Sequence, residues 1–302
     1  MAAFILIGIC ILAGFLFRRS GLLPEGSHKS INVWIIYLAL PAVSFKYLPH
    51  IRWSPELIFP AVSPLIIWLA GWLWVKVYAS QRRLPKPAEG GLKLTAGLAN
   101  TSFVGFPLVT AWFGEHELGT AIICDQVTFI LLSTAGIIVA MNSSESHTLQ
   151  PKVLVQKLIR FPPLIGCIAA LILPHFFNLQ PLDPLFNTLA ATVGPLALFS
   201  IGLQLNFQGW REEVHPIAFT LLYKLIAAPL ILLLIAFFLQ MKGVIAQVTV
   251  FEAAMPTLLS SGIIADQYNL HPRLASLVIG IGILLAFITT AGWFWIIRQV
   301  LI

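Results

Sequence analysis

LTAGLANTSFVGFPLVTAWFG, residues 94–114, is an apolar stretch with a breakable, polar middle. Asn100, Thr101 and Ser102 stand just before Gly105 and Pro107. Proline removes a backbone donor and clashes with the preceding turn, and glycine resists unwinding little. At mid-membrane, open backbone is tolerated only where it faces protein or a wet cavity. An unwound segment there offers carbonyls to cations and N–H groups to anions. The N-terminus of the half-helix that follows attracts anions as well. A second stretch, VTVFEAAMPTLLSSGIIADQY at residues 248–268, repeats this chemistry. Glu252 lies one turn before Pro256, and Thr257, Ser260, Ser261 and Gly262 follow. Paired interrupted helices point to the substrate site of a transporter. The plainer alternative is two proline kinks whose hydroxyls bond back to their own helices.

The rest of the chain supports a lipid setting. Its 302 residues are 58% hydrophobic and 10% charged, against about 45–50% and about 25% in soluble domains. Mean hydropathy is +0.90. A span needs about 20 apolar residues, so the chain has room for ten. The pI near 9.4 does not indicate nucleic acid, because the 18 Lys and Arg are scattered among short loops. Cys10, Cys124 and Cys167 lie in apolar runs without a CxxC pair, which excludes a disulfide framework and a zinc ribbon. There is no HExxH, GxSxG or P-loop, so nothing points to an enzyme, an ATP-driven pump, a metal centre or a cofactor.

The expected fold is an all-α membrane protein. Spans are predicted at 2–17, 31–48, 55–78, 92–114, 117–140, 153–173, 184–205, 216–239, 245–268 and 272–297. Arg18 and Arg19 follow the first apolar run rather than precede it, the reverse of a signal peptide. With the N-terminus outside, thirteen cations face the cytoplasm. They are Arg18, Arg19, Lys29, Lys76, Arg82, Arg83, Lys86, Lys93, Lys152, Lys157, Arg160, Arg211 and Arg273. Only Lys46, Arg52, Lys242 and Arg298 face the other side, which places both termini outside the cytoplasm. The basic, Pro/Gly-rich stretch 79–91 and the Ser-rich stretch 142–150 are expected to be linkers. Trp53, Trp68, Trp72, Trp74, Trp112, Trp210, Trp293 and Trp295 are expected to form an interfacial belt.

Five spans per half is an odd number, so a duplication would invert the second copy. Pro41 and Phe45 match Pro195 and Phe199; Pro64 matches Pro229; Pro107 matches Pro256. Each pair lies about half the chain apart. The expected units are residues 1–140 as the first repeat, 141–152 as a cytoplasmic linker and 153–302 as the second repeat. Spans 4 and 9 are then the broken crossover helices.

Few ionisable groups lie deep. Asp125 and Glu252 sit about two turns in from the outer side, and Lys224 about as far from the inner side. Intramembrane charge is costly and functional by default. A desolvated carboxylate is a natural proton carrier. Lys224 has two readings, snorkelling to the surface or partnering a carboxylate.

The segment ANTSFVGFPLVTAWFGEHELGTAIICDQ, residues 99–126, resembles the auxin efflux carrier family of membrane transporters. PLALFSIGLQL at 195–205, YKLIAAPLI at 223–231 and EAAMPTLLSSGIIADQY at 252–268 are similar to it too. The ordered set runs through essentially the whole chain. The resemblance implies ten helices in two inverted five-helix repeats, broken at the prolines of helices 4 and 9. It implies a scaffold and a transport domain that move against each other. It places Asn100 and Pro107 at the first crossover and Pro256 at the second. Family members carry small organic anions, including auxin, malonate and malate. The plant members have a long central loop that is absent here, so the chain resembles the compact bacterial type.

The resulting expectation is a secondary transporter of a small carboxylate in the plasma (inner) membrane, working by alternating access. Asn100, Thr101, Ser102, Gly105, Pro107, Pro256, Thr257 and Ser260 are the candidate substrate residues. Asp125, Glu252 and Lys224 are the candidates for coupling to Na+ or H+, and a homodimer is the candidate assembly. The rival transport reading is a sodium- or proton-coupled carrier of a different substrate, with Asp125 and Glu252 as its ion site. A sensor would usually carry an output domain and an enzyme a nucleophile–base pair; neither pattern is visible. A channel is disfavoured by the paired breaks.

Overall fold

The computed structural model describes residues 2–24, 26–50, 54–144, 160, 162–205 and 210–302. Arg52, Trp53, Lys152 and Lys157, linker residues 145–152 and the start of the sixth expected span lie outside them. The described elements are all helical; the sole strand-like feature among the described residues is one isolated bridge.

Twelve helical segments are formed by the described residues. They are α1 (Ala2–Ser20), α2 (Ser27–His50), α3 (Pro55–Arg82), α4 (Lys86–Gly97), α5 (Thr101–Trp112), α6 (Glu115–Ser143), α7 (Pro162–His175), α8 (Gln180–Gln204), α9 (Trp210–Phe238), α10 (Val244–Ala253), α11 (Leu259–Gln267) and α12 (Pro272–Val300). Six of them, α2, α3, α6, α8, α9 and α12, are long and apolar enough to cross a membrane, and α5, α7 and α10 are shorter apolar helices. On α1 the outward stripe is Ile5, Ile9, Leu12 and Leu16, all exposed. A helix whose exposed face is as apolar as its buried one is solvated by lipid.

Prolines shape several helices without breaking them. Pro41, Pro107 and Pro229 each follow a π turn, at Ile35–Ala39, Thr101–Gly105 and Tyr223–Ala227. A proline leaves the carbonyl of the preceding turn without its donor, and a widened turn absorbs that loss within a continuous helix. The first interruption is therefore not at Pro107. It falls earlier, at Leu98–Asn100, between α4 and α5. The second does fall at Pro256, between α10 and α11.

Packing groups the helices into two bodies. In one, α1 lies along α8, and α2 packs on α7 and α8. In the other, α3 packs on α4, α6 and α10, α9 on α10 and α12, and α4 on α6, α11 and α12. Both bodies draw on both halves of the sequence. The α1–α8 crossing is set by two glycines. A β-carbon on Gly14 would collide with the Phe199 carbonyl, and one on Gly202 with the Ile11 carbonyl. Small residues allow this close approach where lipid gives helices no hydrophobic reason to associate. The bodies touch where α5 meets α8 and α1 and where α6 meets α7 and α2.

Two local expectations are corrected. The basic stretch 79–91 is mostly helix, with only Arg83–Pro85 between α3 and α4. Trp68 and Trp293 are not interfacial: they are buried, Trp68 against Gly97 and Trp293 donating from Nε1 to the Leu225 carbonyl at 2.8 Å.

Candidate functional site

The two interruptions meet. Leu98–Asn100 and Pro256–Leu258 run antiparallel past each other, bridged at Ala99 and Thr257. The Asn100 amide N–H donates to the Pro256 carbonyl at 2.7 Å, and the Leu258 N–H to the Leu98 carbonyl at 3.0 Å. Each unwound backbone thus supplies the partners that water would supply elsewhere. Proline suits this place, because only its carbonyl is used. The Thr257 hydroxyl donates across to the Thr95 carbonyl at 2.7 Å, and Ser261 to the Leu94 carbonyl at 3.3 Å. Those hydroxyls tie the two segments together rather than bonding back to their own helices.

Four helix ends converge on the crossing. α4 and α10 end there, and α5 and α11 begin there. At the start of α5 the Asn100 Oδ1 accepts the Phe103 N–H at 3.2 Å. A backbone N–H can only donate, so this contact fixes the amide's orientation. Its Nδ2 is left buried without a hydrogen-bond partner. An unpaired buried donor costs about 1–3 kcal/mol, so its retention marks a place for an acceptor.

The charged groups lie behind this donor. Thr101 donates to Asp125 Oδ1 at 2.7 Å, and Ser102 lies beside the same carboxylate. Glu252 packs on Gly105, where a β-carbon would stand 2.5 Å from Oε2 and 2.7 Å from Oε1. Both Glu252 oxygens are buried without a hydrogen-bond partner. Lys224 is fully buried and donates from Nζ to the Ala253 carbonyl at 3.4 Å. The snorkelling reading of Lys224 is therefore overturned. Its amine sits at the C-terminus of α10, where the helix dipole favours a cation. Glu252 lies within electrostatic range of both Lys224 and Asp125. Among the described residues no three His, Cys, Asp or Glu side chains gather as a metal site.

Of the expected substrate residues, Asn100, Thr101, Ser102, Gly105, Pro256 and Thr257 are brought together and buried at the crossing. Ser260 is half-buried in the first turn of α11. Pro107 is displaced: it lines a separate cleft. Ser63 and Cys124, whose Oγ and Sγ are 3.9 Å apart, join the crossing's lining and were not anticipated. Their signal, a lone hydroxyl and a lone thiol in apolar runs, is too common to single out.

Several cavities lie among the helices around the crossing, one of them an apolar cleft of about 520 Å³ between α1, α5, the end of α8 and α12. Another, of about 10 Å³, touches Thr101, Cys124 and Glu252, space for about one water. A third, of about 780 Å³, lies between the N-terminal half of α2 and α11–α12. A fourth, of about 230 Å³, lies at the other end of α2, between Lys46, Pro107 and Gly194. The 780 Å³ and 230 Å³ cavities separate the two bodies, at opposite ends of α2 and α8.

Comparison with known proteins matches the sequence to membrane transporters. A family model described as "Membrane transport protein" matches residues 1–294. An uncharacterized transporter of Methanocaldococcus jannaschii is 26% identical, over 98% of each chain. A Rhizobium meliloti protein named "Putative malonate transporter" is 25% identical over 96% of this chain and 93% of its own. Auxin efflux carrier component 8 of Arabidopsis thaliana is 24% identical over 96% of this chain and 95% of its own.

Proposed function

The chain belongs to the membrane transport protein family, that of the auxin efflux carriers, and on that premise we propose that it is a secondary transporter of small carboxylates. It is an integral membrane transporter; the substrate, the mechanism and the sidedness are our reading. The observation that carries it is the buried Asn100 Nδ2 donor without a partner, held where two unwound segments cross. A carboxylate is the acceptor that such a donor, at the start of α5, would take. The malonate named for the Rhizobium relative and the auxin named for the plant relative are both carboxylates.

In this reading the chain forms ten spans as two inverted five-helix repeats in the plasma membrane, with both termini outside the cytoplasm. α4–α5 and α10–α11 are the crossover helices. The body of α1, α2, α7 and α8 is the scaffold, and the other body carries the crossing past it like an elevator. The 780 Å³ and 230 Å³ cavities are then the two access routes, opened in alternation. Lys224 balances the carboxylates behind the site.

A second reading, a sodium- or proton-coupled carrier of a different substrate, is favoured by the two unpartnered Glu252 oxygens. Because the Lys224 amine already lies near them, a proton suits that site better than Na+. Counterflow of radiolabelled malonate into proteoliposomes tests the first reading. Saturable exchange, inhibited by other small carboxylates and indifferent to sodium and pH gradients, is expected. Malonate exchange driven by either gradient assigns coupling to the carboxylate carrier itself, gradient-driven uptake of a non-carboxylate supports the second reading, and no exchange of any carboxylate in a panel of aliphatic and aromatic acids overturns the first.

A further inference from the structure

The 780 Å³ cavity has a polar device on its α2–α8 wall. Gln204 Nε2 donates to the Ser200 carbonyl at 3.1 Å and to the Ser200 hydroxyl at 3.2 Å. Ser200 Oγ in turn lies 2.6 Å from Asn32 Oδ1. The direction of this chain is fixed. A carbonyl only accepts, so the Gln204 atom beside it is the amide nitrogen. At 2.6 Å the Ser200–Asn32 contact has the length of an O–H···O bond and is shorter than N–H···O bonds run, so the Ser200 hydroxyl gives its proton to Asn32 Oδ1. Asn32 must therefore present its oxygen to Ser200 and keep both Nδ2 protons for something else. Asn32 is 9% exposed, and Asn32 and Gln204 both line the cavity.

The cavity's charge suits what a fixed N–H donor takes. Lys29 lies one turn before Asn32 on the same face of α2, and Arg273 stands on the opposite wall. Arg273 is held by an exposed pair with Glu212 at 3.0 Å, a contact that a ligand can displace cheaply. Asp266 is the one acid among the cavity's described lining residues.

We propose that this cavity holds a second anion subsite, in which Asn32 Nδ2, aimed by the Gln204–Ser200 relay, binds a carboxylate on its way to or from the crossing. Lys29 and Arg273 supply the field that draws the anion in, and Asn32 supplies the directional contact. The subsite rests on the transport reading above, but its residues lie on the other body from Asn100. The carrier would therefore take the anion on its static wall before the moving crossing does.

The test is a thermal-shift titration of the purified full chain with malonate, with neutral malonamide as the control. Malonate is expected to raise the unfolding temperature and malonamide to leave it unchanged. Asn32→Asp puts an acceptor where the donor stood and is expected to weaken malonate roughly tenfold or more. Ser200→Ala preserves the packing and frees the Asn32 amide. It is expected to weaken malonate by a smaller factor, and it provides the reading if Asn32→Asp does not fold. Unchanged malonate affinity in the folded variants overturns the subsite while leaving the transport reading intact. No response of the unmodified protein to malonate or any other carboxylate overturns both.

Discussion

At the scale of single residues, the site is organised by what each group is denied. Asn100 spends its oxygen on the Phe103 N–H and keeps an unpaired amide nitrogen. Glu252 packs on the one residue, Gly105, that leaves room for its carboxylate. Gly105→Ala would press a methyl into the Glu252 oxygens. Overpacking of this kind costs about 1–3 kcal/mol, so the unfolding temperature in detergent should fall. Gly105→Ala combined with Glu252→Ala should recover part of that loss, because the two sites share one volume. Additive losses would show that Gly105 serves some other need. Asn100, Gly105, Asp125 and Glu252 were legible from the sequence as polar, small or charged residues in apolar runs. The paired breaks already put Asp125 and Glu252 near the crossover as one ion site; the contacts that hold them, Thr101 on Asp125 and Gly105 against Glu252, were not legible, since each joins separate helices.

At the scale of elements, the local rule for proline held for one break and failed for the other. Pro256 interrupts its helix because its carbonyl pairs with Asn100. Pro107 interrupts nothing, because the π turn Thr101–Gly105 takes up the missing donor. The break at Leu98–Asn100 is instead stabilised by residues 256–258, a partner too distant in sequence for any local pattern to register. Helix contacts follow the same logic. Gly14→Ala sets a methyl against the backbone of α8, which cannot yield as a side chain would, and should destabilise the fold by about 1–3 kcal/mol. Gly292→Ala, in the open on α12, should be neutral or stabilising by up to about 1 kcal/mol. Thermal unfolding of the two variants checks this, and equal losses would remove the close crossing of α1 and α8 from the description.

At the scale of the whole molecule, composition and hydropathy were enough to announce a helical membrane protein. The number of helices that pass for spans by length alone is smaller, because breaks shorten α5 and α10 and the described part of α7 is short. What the sequence order hides is the regrouping. α1 and α2 join α7 and α8 against everything else, so the packed bodies cut across both halves of the chain. That arrangement leaves the crossing sealed between unequal cavities, about 780 Å³ at one end and about 230 Å³ at the other. In the proposed reading the substrate reaches the crossing, where Asn100 offers it the unpaired Nδ2 donor while its oxygen caps the Phe103 N–H. The decisive measurement is malonate counterflow by Asn100→Ala in proteoliposomes, with unfolding temperature and membrane insertion followed in parallel. Exchange should fall by roughly tenfold or more, as expected for losing a hydrogen bond to a charged group, while the protein still inserts and its unfolding temperature falls only by what the lost cap on the Phe103 N–H costs, about 0.5–2 kcal/mol. Exchange at the unmodified rate would place the substrate somewhere other than the crossing.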